Sequence, residues 1–163
     1  MSDYYLIIDL GASNGRAMVA DFTGSNFTFD IVHRFENRPV FAQKGEYFWD
    51  ILHVFSDVKL GIQAAVKKYG KLRSLGVDSW GCDFGIIDAQ GRLMANPLHY
   101  RDRWQHELSA KLHSIMPEEE LYDLSCGPCN RIMGIYKLFS MMEQGYSEYL
   151  HGDRLLMVPD LIN

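Results

Sequence analysis

The sequence predicts an α/β fold: a five-stranded mixed sheet flanked by helices. Three observations carry that expectation. Apolar, β-prone runs crowd the first third of the chain, one long segment with helical periodicity follows, and another β-prone run comes directly after it.

The elements follow in chain order. Tyr4-Tyr5-Leu6-Ile7-Ile8 is a short continuous apolar run ending at Asp9, as suits a strand buried on both faces. Gly11-Ala12-Ser13-Asn14-Gly15 is a stretch of small and turn-forming residues, and Arg16 to Phe22 resumes a strand. Thr23 to Asn26 is turn material, and Phe27 to Phe35 is a third strand. Hairpin connections make these three strands antiparallel. Glu36 to Phe48 reads as an irregular loop, with Asn37, Pro39 and Gly45 as breakers. Asp50 is a candidate N-cap for a helix whose apolar face is Ile51, Val54, Phe55, Val58, Ile62, Ala65, Val66 and Tyr69, and Gly70 suits a left-handed cap at its end.

Leu72 to Ser79 follows as a strand. A strand after a long helix marks a crossover, so it is expected parallel to the first. Phe84 to Asp88 is the fifth strand, and Ala89 to Arg92 a turn. The last third is mostly helical: Asp102 to His113, a helix opening at Pro117 with Glu118, Glu119 and Glu120 in its first turn, and Ile132 to Glu143. The closing run, Arg154 to Asn163, is apolar and carries no terminating signal. The expectation is a chain cut within a longer protein.

Composition narrows the classes. The 163 residues are 47% hydrophobic and 13% aromatic, enough for a sizeable core and against disorder. Sixteen basic and 21 acidic side chains give a net charge of -5, and no Lys/Arg stripe forms, so nucleic acid is disfavoured as a partner. No apolar run approaches the roughly 20 residues of a membrane-spanning helix. The opening Met1-Ser2-Asp3-Tyr4-Tyr5 lacks the basic start of a secretory leader. Three cysteines make no disulfide framework, and a cytoplasmic location is the expectation.

Four constellations bear on chemistry. In Asp9-Leu10-Gly11-Ala12-Ser13-Asn14-Gly15-Arg16, small residues let main-chain N–H groups approach a phosphate, Ser13 adds a hydroxyl, and Asp9 can hold Mg²⁺ through water. A plain hairpin turn explains the same residues. In Gly76-Val77-Asp78-Ser79-Trp80-Gly81-Cys82-Asp83-Phe84, carboxylates and an indole face at a strand end suit a sugar, and equally suit a strand–turn–strand with Trp80 in the core. Tyr100-Arg101-Asp102 reads as a pocket wall or as a helix start capped by Asp102. Cys126-Gly127-Pro128-Cys129 has thiol-redox spacing, but a helix precedes it where that chemistry needs a strand, so two cysteines in a turn are the plainer reading. Neither Cys82 nor the six histidines stand at finger-like spacing from this pair, which disfavours zinc, and His106 and His113 are spaced to share a helix face.

Taken together, Asp9 to Arg16, Val77 to Phe84 and Tyr100 to Asp102 occur in the order found in the FGGY carbohydrate kinases, and the chain resembles that family, most of all its rhamnulokinase branch. His33-Arg34-Phe35 and Trp49-Asp50 also match. The resemblance implies a ribonuclease-H-like lobe of the actin and hexokinase type. It implies transfer of the γ-phosphoryl of ATP to a ketose hydroxyl with Mg²⁺, Ala12, Ser13, Asn14, Gly15 and Arg16 holding the phosphates and Gly81 touching the sugar. Asp78, Trp80, Asp83 and Asp102 are the further sugar-site candidates, and Asp9 the metal-site candidate. The general-base aspartate, the adenosine-binding elements and a C-terminal lobe are expected beyond Asn163, so residues 1–163 alone are expected to be an inactive N-terminal lobe. Met133-Gly134 and Lys137 depart from the rhamnulokinase pattern, which leaves the sugar open. The alternatives are a non-catalytic sugar or nucleotide sensor of the same fold and a thiol oxidoreductase built on Cys126 and Cys129.

Overall fold

The computed structural model describes residues 3–42 and 44–163. Met1 and Ser2, part of the opening that lacks the basic start of a leader, and Gln43, within the expected loop, lie outside the described residues. The chain forms two compact units, Met1–Arg38 with Asp50–Gly81 and Val158–Asn163, and Pro39–Trp49 with Cys82–Met157.

The first unit holds a four-stranded mixed sheet of order β3-β2-β1-β6. Strand β1 (Asp3–Leu10) pairs antiparallel with β2 (Asn14–Phe22), which pairs antiparallel with β3 (Phe27–Glu36). Helix α1 (Ile51–Tyr69) is the crossover, and β6 (Ser74–Ser79) lies parallel to β1, as the helix-then-strand order predicts. Alternation sends Leu6, Ile8 and Leu10 of β1 and Ala17 and Val19 of β2 into the core. Ile51, Val54, Val58 and Ala65 are the buried apolar residues of α1, which packs on β1, β2 and β3. Phe55 and Val66, expected on that face, are exposed. Gly61 takes the intervening buried position instead: a Cβ there would stand 2.6 Å from the Ala17 Cβ, so the missing side chain lets helix and sheet approach. Asp50 caps α1 by accepting from the His53 N–H, and Gly70 closes it at φ 72° and ψ −122°, a glycine-favouring conformation outside the expected αL basin. A bulge between Ala17 and Met18 leaves Val32 out of register on β3.

The expected fifth strand is the main correction to the fold. Strand β7 (Phe84–Ile87) belongs to the second unit and pairs antiparallel with β8 (Arg154–Met157). Every residue of β7 is buried, so its pattern fits any core sheet and does not say which. The expected irregular loop also carries structure: β4 (Pro39–Phe41) pairs with β5 (Tyr47–Trp49). The helices of this unit are α2 (Arg103–Glu107), α3 (Ser109–Ile115), α4 (Glu118–Ser125), α5 (Gly134–Gln144) and α6 (Ser147–His151); α7 (Val158–Ile162) closes the chain in the first unit. One apolar cluster gathers Phe84, Ile86, Leu98 and Met141, and another Leu112, Leu121, Tyr136 and Phe139. The single helix expected from Asp102 to His113 is broken at Leu108, which parts His106 from His113. Among the described residues no helix is long and apolar enough to cross a membrane.

Candidate functional site

The first candidate is the connection between β1 and β2. The Gly11 N–H donates to the Asn14 carbonyl at 2.9 Å, which closes the bend. Ser13 and Asn14 are exposed, and Gly11 and Ala12 half-buried. Asn37, just past β3, reaches the loop from below. Its Nδ2 donates to the Gly11 carbonyl at 2.9 Å, and its own N–H donates to the Ser13 carbonyl at 3.0 Å. Gly15 is buried, and a Cβ there would lie 2.2 Å from the Phe35 ring. Its smallness is therefore used by Phe35 packing on one face of the strand.

Charge is arranged across the sheet at this end. Pairing sets Arg34 beside Arg16, Arg16 beside Asp9, and Asp9 beside Asp78, so four charged residues form a row over β3, β2, β1 and β6. The Arg16 guanidinium donates to Asp9 Oδ2 at 2.8 Å. Asp78 is exposed near the end of β6. Trp80, half-buried, and Gly81, exposed with open space where a side chain would stand, follow directly. The loop, Asp9, Arg16, Asp78, Trp80 and Gly81 thus lie in one unit, the strand-end residues sharing one end of the sheet.

Asp83 and Asp102 fall in the second unit, and their carboxylates are engaged in it. Asp83 is 0% exposed; Trp49 Nε1 donates to its Oδ2 at 2.5 Å, and the Lys137 ammonium pairs with its Oδ1 and also donates to the Leu98 carbonyl. Burial pulls the Lys137 ammonium below the ordinary lysine range, and Asp83 opposes that pull. Both Asp83 oxygens are engaged inside the second unit, where the carboxylate ties β5 and α5 to the start of β7. Asp102 caps α2: Oδ1 accepts from the Trp104 N–H at 3.0 Å and Oδ2 from the Tyr47 N–H at 2.9 Å. Burial raises its pKa. The capping reading of Tyr100-Arg101-Asp102 is the one the geometry supports. His99 sits between Tyr47 and Trp49 at ring separations of 4.4 and 4.1 Å, its Nδ1 accepting from the Arg101 N–H, and burial lowers its pKa to about 4.

The cysteine pair is not built for redox work. Cys126 is the left-handed cap at the C-terminal end of α4, whereas a reactive thiolate is stabilised at a helix N-terminus. Cys129 Sγ donates to the Glu118 carbonyl, and all three cysteines are free. Among the described residues no group of three or more His, Cys, Asp and Glu side chains is placed to hold a metal ion.

Asn37, Trp49 and Lys137 are the residues that sequence reasoning did not assign to any site. Asn37 read as a loop breaker. An asparagine just past a strand, 26 positions from the glycine whose carbonyl it holds, is a weak signal that spacing alone does not resolve.

No family model matches the chain. A rhamnulokinase from Lactiplantibacillus plantarum is 31% identical over 160 residues, which cover 97% of this chain and 32% of that protein. The chain is thus similar to that rhamnulokinase along nearly all of its own length. Gluconate kinase from Lactobacillus acidophilus superposes with a TM-score of 0.84 at 15% identity, over 99% of this chain and 32% of that one. Plasmodium falciparum glycerol kinase with ADP superposes with a TM-score of 0.70 at 16% identity, over 91% of this chain and 30% of that one. The fold is therefore the actin/hexokinase-like fold of the sugar kinases, with four strands in its sheet where five were expected. The resemblance to FGGY carbohydrate kinases holds over essentially the whole chain. The chain spans about a third of the length of the relatives it matches.

Proposed function

We propose that this chain is the N-terminal, nucleotide-phosphate-holding lobe of a cytoplasmic ATP-dependent sugar kinase. The protein transfers the γ-phosphoryl of ATP to a hydroxyl of a ketose of the rhamnulose, fuculose or xylulose kind. The observation that carries the reading is the clamped bend at Gly11–Asn14 in a chain homologous to a rhamnulokinase. Phosphoryl transfer asks a protein chiefly for positioning and for donors aimed at the phosphate oxygens.

Each part has a role in this reading. The main chain of Ala12, Ser13, Asn14 and Gly15 and the Ser13 hydroxyl bind the phosphate tail. Arg16 holds Asp9 in place and adds positive charge beside it. Asp9 and Asp78 stand in neighbouring register at the strand ends, and hard carboxylate oxygens suit Mg²⁺ held through water. That ion, when bound, neutralises charge on the polyphosphate. Trp80 offers an apolar face to the C–H side of a sugar, and exposed Gly81 leaves room for the ring to approach. Asp83 and Asp102 support the second unit and are left out of the sugar contacts. The base that takes the sugar proton and the adenosine pocket belong to the two thirds of the relatives' length that this chain does not span.

The test is a phosphorylation screen of the full gene product against ketoses and their aldose isomers, read as sugar-dependent ADP release. Turnover with one ketose and background release with aldoses support the reading. Nucleotide binding without turnover on any sugar would move the protein to the class of sensors.

A further inference from the structure

We infer that Asn37 is the positioning residue that sets the phosphate-holding loop in its anion-gripping orientation; the inference rests on the kinase reading above and deepens it. A trans peptide unit is planar, with its C=O and N–H pointing in opposite directions. Fixing a carbonyl therefore fixes the direction of the next residue's N–H. Asn37 fixes two carbonyls of the loop. The side-chain amide holds the Gly11 carbonyl, which turns the Ala12 N–H away from Asn37. The Asn37 main-chain N–H holds the Ser13 carbonyl, which turns the Asn14 N–H away as well. The Ala12 N–H, in the loop, has no main-chain partner among the described residues, and the Asn37–Ser13 bond makes Asn14 and Glu36 a non-hydrogen-bonded pair, which leaves the Asn14 N–H outside the β2–β3 ladder. Two donors are left bare on the side opposite the clamp, and two carbonyls that would repel an anion are withdrawn from that side.

The clamp itself is a committed group. Asn37 is 3% exposed, and its Oδ1 has no partner among the described residues, so the buried side chain spends its hydrogen bonding on the Gly11 carbonyl alone. Burying an amide with one oxygen unsatisfied is costly, and a loop with no directional task would not require it. The Gly11 N–H to Asn14 carbonyl bond is one of two that can close such a bend, the other running from the Asn14 N–H to the Gly11 carbonyl. Here the Gly11 carbonyl accepts from Asn37 instead. The substitution Asn37→Ala removes the hold on Gly11 and leaves the main-chain bond to Ser13 intact, so it frees one of the two peptide planes.

The experiment uses the full gene product, with ATP, inorganic tripolyphosphate and adenosine as probes. For Asn37→Ala we expect a roughly tenfold loss of affinity for ATP and tripolyphosphate. Adenosine affinity and the KM for the sugar stay unchanged, a split that general destabilisation would not produce. Asn37→Asp, which loses the donor and adds a negative charge beneath the loop, weakens tripolyphosphate at least as much. Unchanged tripolyphosphate affinity in either folded variant overturns the role of Asn37 and leaves the kinase reading standing. A wild-type protein that binds neither ATP nor tripolyphosphate overturns both. Should both variants fail to fold, amide chemical shifts of the wild-type protein decide the matter. Tripolyphosphate must move the Ala12 and Asn14 amides most, and largest shifts elsewhere overturn the inference.

Discussion

Gly15 shows how a motif residue can serve packing and function together. The space where its side chain would stand is filled by the Phe35 ring, with Cζ 2.2 Å from an ideal Cβ. Gly15→Val is therefore expected to destabilise the fold by about 1–3 kcal/mol through overpacking. Combining it with Phe35→Ala should return part of that loss, measured by urea unfolding; a fully additive double variant would contradict the packing account. The sequence identified Gly15 as a small residue near a phosphate, but not the ring beneath it, because Phe35 lies on a neighbouring strand 20 positions on. His99 gives a residue-scale prediction of pH dependence. Its folded pKa, about 4, lies below the ordinary 6.5, so between those values the unfolded chain binds a proton that the folded chain refuses. Its contribution is complete above about pH 6.5 and is lost as pH falls towards 4. His99→Asn, which can still accept from the Arg101 N–H, should lose on the order of 1–2 kcal/mol less than the parent between pH 7 and 5. Equal losses would show that His99 does not titrate in this way. Asp83 and Asp102 were legible as interesting carboxylates, and their actual partners, Lys137, Trp49 and the Tyr47 N–H, were not, since each lies about 30 to 55 positions away.

At the scale of elements, α1 and the three-strand meander were readable because each is set by local signals. Asp50 caps, Gly70 terminates, and alternation marks the strands. The parallel placement of β6 followed from the handed crossover rule. What hydropathy missed is Gly61, which contributes to the buried stripe by having no side chain. Gly61→Ala improves intrinsic helix propensity by about 1 kcal/mol, yet it sets two Cβ atoms 2.6 Å apart. The expected result is a net loss of stability, restored when Ala17→Gly is added. A stabilised single variant would mean that α1 can ride away from the sheet at little cost. β7 escaped placement for a different reason. A four-residue strand with every position buried carries no face preference, so only its long-range partner β8, about 70 positions on, decides its sheet.

For the molecule as a whole, motifs spread along the chain were more informative than any element. The bend after β1 and the strand-end segment Val77 to Phe84 pointed to a sugar kinase fold, which the superpositions bear out. The division of the chain into two units was not visible, because the segments exchange twice: Pro39–Trp49 joins the second unit and Val158–Asn163 returns to the first. Since the chain spans about a third of its relatives, residues 1–163 on their own are expected to give no sugar-dependent ATP turnover above background. A sugar-dependent rate from that polypeptide would show that the base and adenosine contacts lie within it.

The most direct measurement is a crystal structure of the full gene product with ADP bound. The account predicts phosphate oxygens about 3 Å from the Ala12 and Asn14 main-chain nitrogens, with Asn37 still holding the Gly11 carbonyl. An ADP phosphate tail seated elsewhere, with the Gly11–Asn14 bend facing solvent or filled by side chains, would contradict it.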